Sequence, residues 1–156
     1  MEKYLVIGNP IEHSLSPKLH NFWMKKNNID AIYEKQKILD SDLKNLIIKV
    51  QKREISGINV TVPFKKKVID YLDKLSPGSE ITQSVNTISL DGKNLIGYNT
   101  DINGFELAIK NINFNVLNKK ILILGAGGVV SSIIFALKKL KAQQIIVSNR
   151  TKEKAE

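Results

Sequence analysis

Three short apolar runs, KYLVIG, AIYEKQKI and ISGINVTV, each lead into a stretch with helical character, and this alternation restricts the fold more than any other feature. Strands separated by helices are not joined by tight hairpins. They cross over and lie parallel, with the helices covering the sheet.

The first run stops at Gly8 and Pro10. In SLSPKLHNFWMKKNN, Ser16 is a candidate N-cap and Pro17 suits the first helical position. Leu19, Phe22 and Trp23 fall on one face of that helix. DSDLKNLIIKVQKRE is amphipathic, with Leu43, Leu46, Ile47 and Val50 at helical spacing. The third run is followed by a predicted helix from about Pro63 to Leu75. SVNTISL and NLIGYN, separated by a turn at Asp91 and Gly92, predict a β-hairpin. Thr100 or Asn99 then caps a helix from Asp101 to about Ile112. These roughly one hundred residues are the size of one domain, an α/β unit around a mainly parallel sheet.

A second pattern begins at Lys119. KKILILGAGG is an apolar strand running into a glycine turn, VVSSIIFALKKLKA is a helix, and QQIIVSNRTKEKAE is a strand that ends in helical character. Glycines at such a turn let backbone N–H groups approach a pyrophosphate at the helix N-terminus. Gly125, Ala126, Gly127 and Gly128 form the turn, and Val130 replaces the third glycine of G-x-G-x-x-G. The order strand, turn, helix, strand favours a dinucleotide site over an ordinary βα connection. Where an NAD site places a carboxylate, this chain has Asn149, Arg150 and Thr151. An arginine with a hydroxyl and an amide suits a 2′-phosphate and points to NADP. The plainer alternative for Arg150 is a surface residue at a strand end.

A Rossmann-type sheet has about six strands, and two follow Lys119. The second unit therefore reads as the first β-α-β of an incomplete dinucleotide-binding domain, with apolar faces on ILIL and IIV left uncovered. A truncated protein, a fragment, or a domain completed by another chain is expected.

Polar residues cluster at the ends of the predicted strands. Alternation puts Asn59 and Thr61 opposite Ile58, Val60 and Val62. A helix starting at Pro63 places Lys65 in its first turn. The macrodipole disfavours a cation there, which calls for a lowered proton affinity or a nearby anion. Asp101, at the start of its own helix, is the matching acid, although a carboxylate is favoured there anyway. Ser14, Ser16 and Asn86 add hydroxyls and an amide at the carboxyl end of the sheet, where such folds bind ligands. The set suits a small polyhydroxylated molecule. Lys66 and Lys67 read as a solvated helix face.

The net charge of +9 does not imply nucleic acid, because only Arg53 and Arg150 among 24 basic residues are arginines and the lysines are scattered. No cysteines and two histidines argue against a metal site. There is no leader-like N-terminus and no run near the roughly 20 apolar residues of a membrane helix, so neither a membrane nor a secreted location is expected and the cytoplasm is.

HSLSPKLHN, NVTVPFK, SVNT, GYNTD, GAGG and NRT, in this order and spacing, resemble the shikimate dehydrogenase family from about Tyr4 to Thr151. The resemblance implies NADPH-dependent, reversible reduction of 3-dehydroshikimate to shikimate in aromatic amino-acid biosynthesis. It implies a substrate-binding and catalytic domain over 1–101, then a linking helix and truncated NADP domain over 102–156. Lys65 and Asp101 are then the catalytic pair, and Ser14 and Ser16 hold the substrate carboxylate. Asn59, Thr61, Asn86 and Asp101 meet the ring hydroxyls. Gly125 to Gly128 hold the pyrophosphate, and Asn149, Arg150 and Thr151 the 2′-phosphate. The alternatives are a shikimate-binding module without turnover, or a relative acting on quinate. With the cofactor sheet incomplete, the 156 residues alone are expected to be inactive. Oligomeric state is not legible. Ser84 stands where the family usually has alanine, and Val129 and Val130 replace small residues.

Overall fold

The computed structural model describes residues 1–151 and 153. The helical character expected beyond Thr151 falls mainly on residues outside that range. Strand β1 (Glu2–Gly8) leads through a loop to helix α1 (Ser16–Lys26), and β2 (Ala31–Lys37) to α2 (Leu43–Gln51). Then come β3 (Gly57–Val60), β4 (Lys74–Leu75), α3 (Pro77–Thr82), the hairpin β5 (Thr87–Asp91) and β6 (Asn94–Tyr98), and α4 (Asp101–Asn111). Strand β7 (Lys120–Leu124), helix α5 (Val130–Lys139) and strand β8 (Gln144–Ser148) follow.

The first six strands form one sheet in the order β2-β1-β3-β5-β6-β4. Only β5 runs against the others, since it is antiparallel to both β3 and β6 while the remaining pairs are parallel. The mainly parallel α/β sheet read from the alternation is therefore present. Strands β7 and β8 form a separate parallel pair.

The central strand β1 is apolar on both faces because both are covered. Leu5 and Ile7 join Leu43, Leu46, Ile47 and Val50 of α2 and Ile58, Val60 and Ile88 in the main core. Val6 packs on the other side with Ile11 and Tyr33. The spacing read in α2 thus becomes its buried stripe.

Helix α1 differs from its sequence pattern. Leu19, Phe22 and Trp23 lie 46%, 60% and 47% exposed, and α1 buries no residue. It docks instead through Asn21, whose Nδ2 donates to the Tyr33 carbonyl (2.8 Å) and whose Oδ1 accepts from the Tyr33 N–H (2.9 Å). Strand β2 is a sheet edge, and this amide satisfies edge groups that no further strand would pair. Ser16 does not cap α1 as expected. It is the first helical residue, and its N–H donates to Ser14 Oγ at 3.3 Å.

The predicted helix from Pro63 to Leu75 is absent. The Lys65 carbonyl, which an α-helix would offer to the N–H of Ile69, accepts from Val85 N–H at 2.8 Å. Ile69 N–H turns to the Lys66 carbonyl at 3.3 Å, and a 3-10 helix (Lys67–Tyr71) forms. A tertiary bond has displaced the local ladder, while Phe64 and Val68 sink into the core. The short helix α3 and strand β4 that follow were not anticipated. Yet Ser76, whose hydroxyl accepts from Ser79 N–H, and Pro77 are ordinary helix-start residues. The hairpin turns at Gly92, whose φ of 59° is open to glycine at little cost.

The second unit packs α5 on one face of the β7–β8 pair, leaving Leu122 (59%), Leu124 (80%) and Ile146 (47%) exposed on the other. The uncovered apolar face read from ILIL and IIV is present. Asn99 links the two units. This side chain, 7% exposed, donates to Thr82 Oγ1 (2.9 Å) and to Ser132 Oγ of α5 (2.8 Å). No helix among the described residues is long and apolar enough to cross a membrane.

Candidate active site

Lys65 follows β3 in a turn, not in the first turn of a helix, so the macrodipole argument for it does not apply. The anion that argument called for is nevertheless there. Lys65 Nζ donates to Asp101 Oδ2 at 2.6 Å, with side chains 14% and 24% exposed. Such partial burial limits solvent screening of the pair. Asp101 opens α4, where a carboxylate is favourable. Its N–H donates to Asn99 Oδ1 at 3.1 Å, so Asn99 rather than the Thr100 hydroxyl caps this helix.

The second carboxylate oxygen is also held. Asn86 Nδ2 donates to Asp101 Oδ1 and to Thr100 Oγ1, each at 2.9 Å. Asn86 Oδ1 accepts from Thr100 N–H at 3.0 Å and from the Thr87 hydroxyl at 3.1 Å. Asn59 Nδ2 donates to Thr87 Oγ1 at 3.0 Å, and Asn59 Oδ1 accepts from the Tyr33 hydroxyl at 2.6 Å. Burial pushes the Tyr33 phenol up to about 12, with the Ser16 hydroxyl working weakly the other way. An unbroken polar chain therefore runs from Tyr33 through Asn59, Thr87 and Asn86 to Asp101 and Lys65. Ser14 Oγ accepts from the Ser16 N–H at 3.3 Å in the loop before α1.

Four residues that the sequence did not mark as site residues belong to this array: Tyr33, Thr87, Asn99 and Thr100. Tyr33 has the pattern of an ordinary strand aromatic. Thr87, Asn99 and Thr100 sit inside SVNT and GYNTD, where neighbouring residues draw the attention. Thr61 lies beside them, half-buried. Its methyl would be 2.6 Å from a Cβ at Gly8, so only glycine fits at Gly8 without movement. Of the alternating residues opposite Asn59, Ile58 and Val60 are buried as expected, but Val62 is 53% exposed. Val62 instead lines a cleft.

That cleft, of about 720 Å³, separates the two units. One wall carries Val62, Pro63, Lys65, Lys66 and Ser84, and the other Ala126, Gly127, Gly128, Val130 and Ser131. Lys66 is exposed as expected, but at the rim of this cleft and not on a helix face. Lys67, by contrast, points away and pairs with Asp40. Ser84 is 4% exposed and its hydroxyl finds no partner among the described residues. Among the described residues no carboxylate lines the cleft, so its walls are suited to an anion.

The glycine turn combines a left-handed residue with open space. Gly125 has φ 104°, which only glycine adopts readily, and a Cβ at Gly127 would meet nothing within 4 Å. Gly125 N–H donates to the Ser148 carbonyl (2.7 Å), and Ala126 N–H to Asn149 Oδ1 (3.1 Å). Asn149 Nδ2 donates to the Thr151 carbonyl at 2.7 Å, so this amide ties the turn to the end of β8. Arg150 and Thr151 are exposed at that strand end. Val130 opens α5 and faces the cleft, its N–H donating to the Gly127 carbonyl at 3.0 Å.

Comparison with known proteins follows this division. A family model described as shikimate dehydrogenase substrate binding domain matches residues 6–88, and one described as shikimate / quinate 5-dehydrogenase matches 106–156. The NADP(+) shikimate dehydrogenase of Pelagibacter ubique is 58% identical over 97% of this chain and 57% of its own length. Shikimate dehydrogenase from Aquifex aeolicus superposes with a TM-score of 0.92 at 39% identity, over 99% of this chain and 58% of that one. Shikimate 5-dehydrogenase from Thermus thermophilus, solved in complex with NADP(H) and shikimate, gives 0.89 at 33% identity, over 99% and 58%. The chain thus spans a little over half the length of the relatives it matches.

Proposed function

The chain belongs to the shikimate dehydrogenase family, and from that premise we propose that it carries the substrate half and the phosphate-gripping edge of an NADP-dependent oxidoreductase interconverting 3-dehydroshikimate and shikimate. The observation that carries this reading is the Lys65–Asp101 pair, fixed at both carboxylate oxygens and placed beside a cleft whose far wall is the glycine turn. We divide the chain at Asp101, with substrate binding and chemistry over 1–101 and the cofactor unit over 102–156.

In this reading Ser14 and Ser16 bind the substrate carboxylate. Asn59, Thr61, Asn86 and Asp101 bind ring hydroxyls. NADPH, held by the turn from Gly125 to Gly128 and by Asn149, Arg150 and Thr151, supplies the hydride. Lys65 stands ready with a proton for the oxygen on which negative charge develops, and it takes that proton back in the oxidative direction. Asp101 keeps the ammonium aimed at that oxygen. Asn86 in turn denies Asp101 other rotamers. Arg150 attracts a 2′-phosphate, while Asn149 acts by shaping the turn.

The test is shikimate oxidation by the full-length protein with NADP and with NAD, and quinate in place of shikimate. Turnover with NADP and shikimate is expected, and Arg150→Ala should lower the preference for NADP over NAD by about tenfold. No turnover, or equal use of NADP and NAD, would contradict the reading. The 156-residue polypeptide alone, with two strands in its second sheet, should bind shikimate without turning it over.

A further inference from the structure

An asparagine can face a ligand with a donor or with an acceptor, and which end it presents decides what it selects. At Asn59 the choice is made from behind. Tyr33, 3% exposed, donates its hydroxyl to Asn59 Oδ1 at 2.6 Å. Tyr33 itself has little freedom. Its backbone N–H and carbonyl both bond Asn21, and its ring stacks on His20 with centroids 4.2 Å apart and planes at 4°. With its phenol raised to about 12, it remains a donor at any ordinary pH. On the other side, Asn59 Nδ2 spends its hydrogens on Thr87 Oγ1 at 3.0 Å and the Asn86 carbonyl at 3.3 Å. The remaining capacity of the amide is one lone pair on Oδ1.

We propose that Tyr33 is a positioning residue for substrate selection: by holding Asn59 Oδ1 as the ligand-facing atom, it makes the site select a ligand hydroxyl at that position over a keto or ether oxygen. This rests on the reading of Asn59 as a substrate contact. The selected group is a hydroxyl that donates, and so one that keeps its hydrogen when the ring's reacting carbon is oxidised. Besides the Tyr33 hydroxyl at 2.6 Å, the Asn86 carbonyl, which can only accept, favours the same orientation of the amide at the longer distance of 3.3 Å.

Tyr33→Phe keeps the stack on His20 and removes only the donor. Calorimetric titration of this chain with shikimate, and with analogues each lacking one ring hydroxyl, reads the effect. Wild type is expected to reject one of these analogues, and Tyr33→Phe to bind shikimate about tenfold more weakly with that rejection lost. Combined with Asn59→Ala, Tyr33→Phe should add no further loss. Asn59→Asp leaves Tyr33 in place, keeps an acceptor toward the ligand and should retain the selectivity, so the idea stays testable if Tyr33→Phe folds poorly. Wild-type selectivity in Tyr33→Phe, an undiminished effect in the Asn59→Ala background, or lost selectivity in Asn59→Asp would each overturn it. If wild type binds no shikimate, the proposed function falls and this inference with it. If wild type binds and Tyr33→Phe is unchanged, only the inference falls.

Discussion

The two sheets of this chain differ in how much they finish. In the first, Leu5 and Ile7 of β1 are 2% and 0% exposed, covered by α2, and six strands hold one polar array. In the second, Leu122 and Leu124 of β7 are 59% and 80% exposed on the face opposite α5, and two strands pair among the described residues. The array proposed to meet substrate is built on the covered sheet, where hydrogen-bonded neighbours fix its amides. The turn proposed to meet the cofactor sits on the sparsely covered pair, and is tied down by Asn149 and the Ser148 carbonyl rather than by a core. Pre-organisation is therefore concentrated on the substrate side.

The largest effect expected from this contrast is on turnover. In the full-length protein, Lys65→Ala should lower kcat by about a thousandfold or more while shikimate affinity changes only a few-fold, because the group acts on developing charge. Steady-state kinetics checks this, and an unchanged kcat would remove Lys65 from the chemistry. The next effect is on stability. Phe64→Ala, at 1% exposure in the main core, should cost about 3–5 kcal/mol in chemical denaturation. Leu124→Lys, on the uncovered face, should stay within about 0.5 kcal/mol. Equal costs would break the contrast between the sheets.

The smallest effect concerns His20, whose pKa burial lowers below its usual 6.5. The unfolded chain then takes up a proton near pH 6.5 that the folded chain resists. Stability should fall slightly as pH drops from 7 through that lowered value, and level off below it. His20→Phe, which keeps an aromatic ring on Tyr33, should flatten the denaturation midpoint over pH 7 to 5. Glu12 is lowered from 4.5, so its contribution is lost at more acidic pH and does not blur this window. An unaltered pH profile in His20→Phe would assign the slope elsewhere.

Much of this was legible where local pattern and tertiary structure agree. The α2 stripe, the hairpin at Gly92 and the strand–glycine–helix order at Gly125 all carry their own periodicity or turn chemistry. Lys65 and Asp101 were legible as a candidate pair, but for a partly wrong reason. No helix begins at Pro63, because Val85 takes the Lys65 carbonyl, a contact twenty residues away that no local rule contains. Lys66 is solvated as read, but for the same reason it lies beside the cleft and not on a helix face. Leu19, Phe22 and Trp23 have helical spacing and still stay exposed, because Asn21 rather than an apolar stripe docks α1. Tyr33 escapes a sequence reading because a buried strand aromatic carries no sign of what its hydroxyl will reach.

The most direct test of the central claim, that the substrate side is complete on its own sheet, is a calorimetric titration of the 156-residue chain with shikimate. Saturable one-site binding is expected, and Lys65→Ala should leave it within a few-fold of wild type. Absence of saturable binding at millimolar shikimate, with the chain folded, would contradict it.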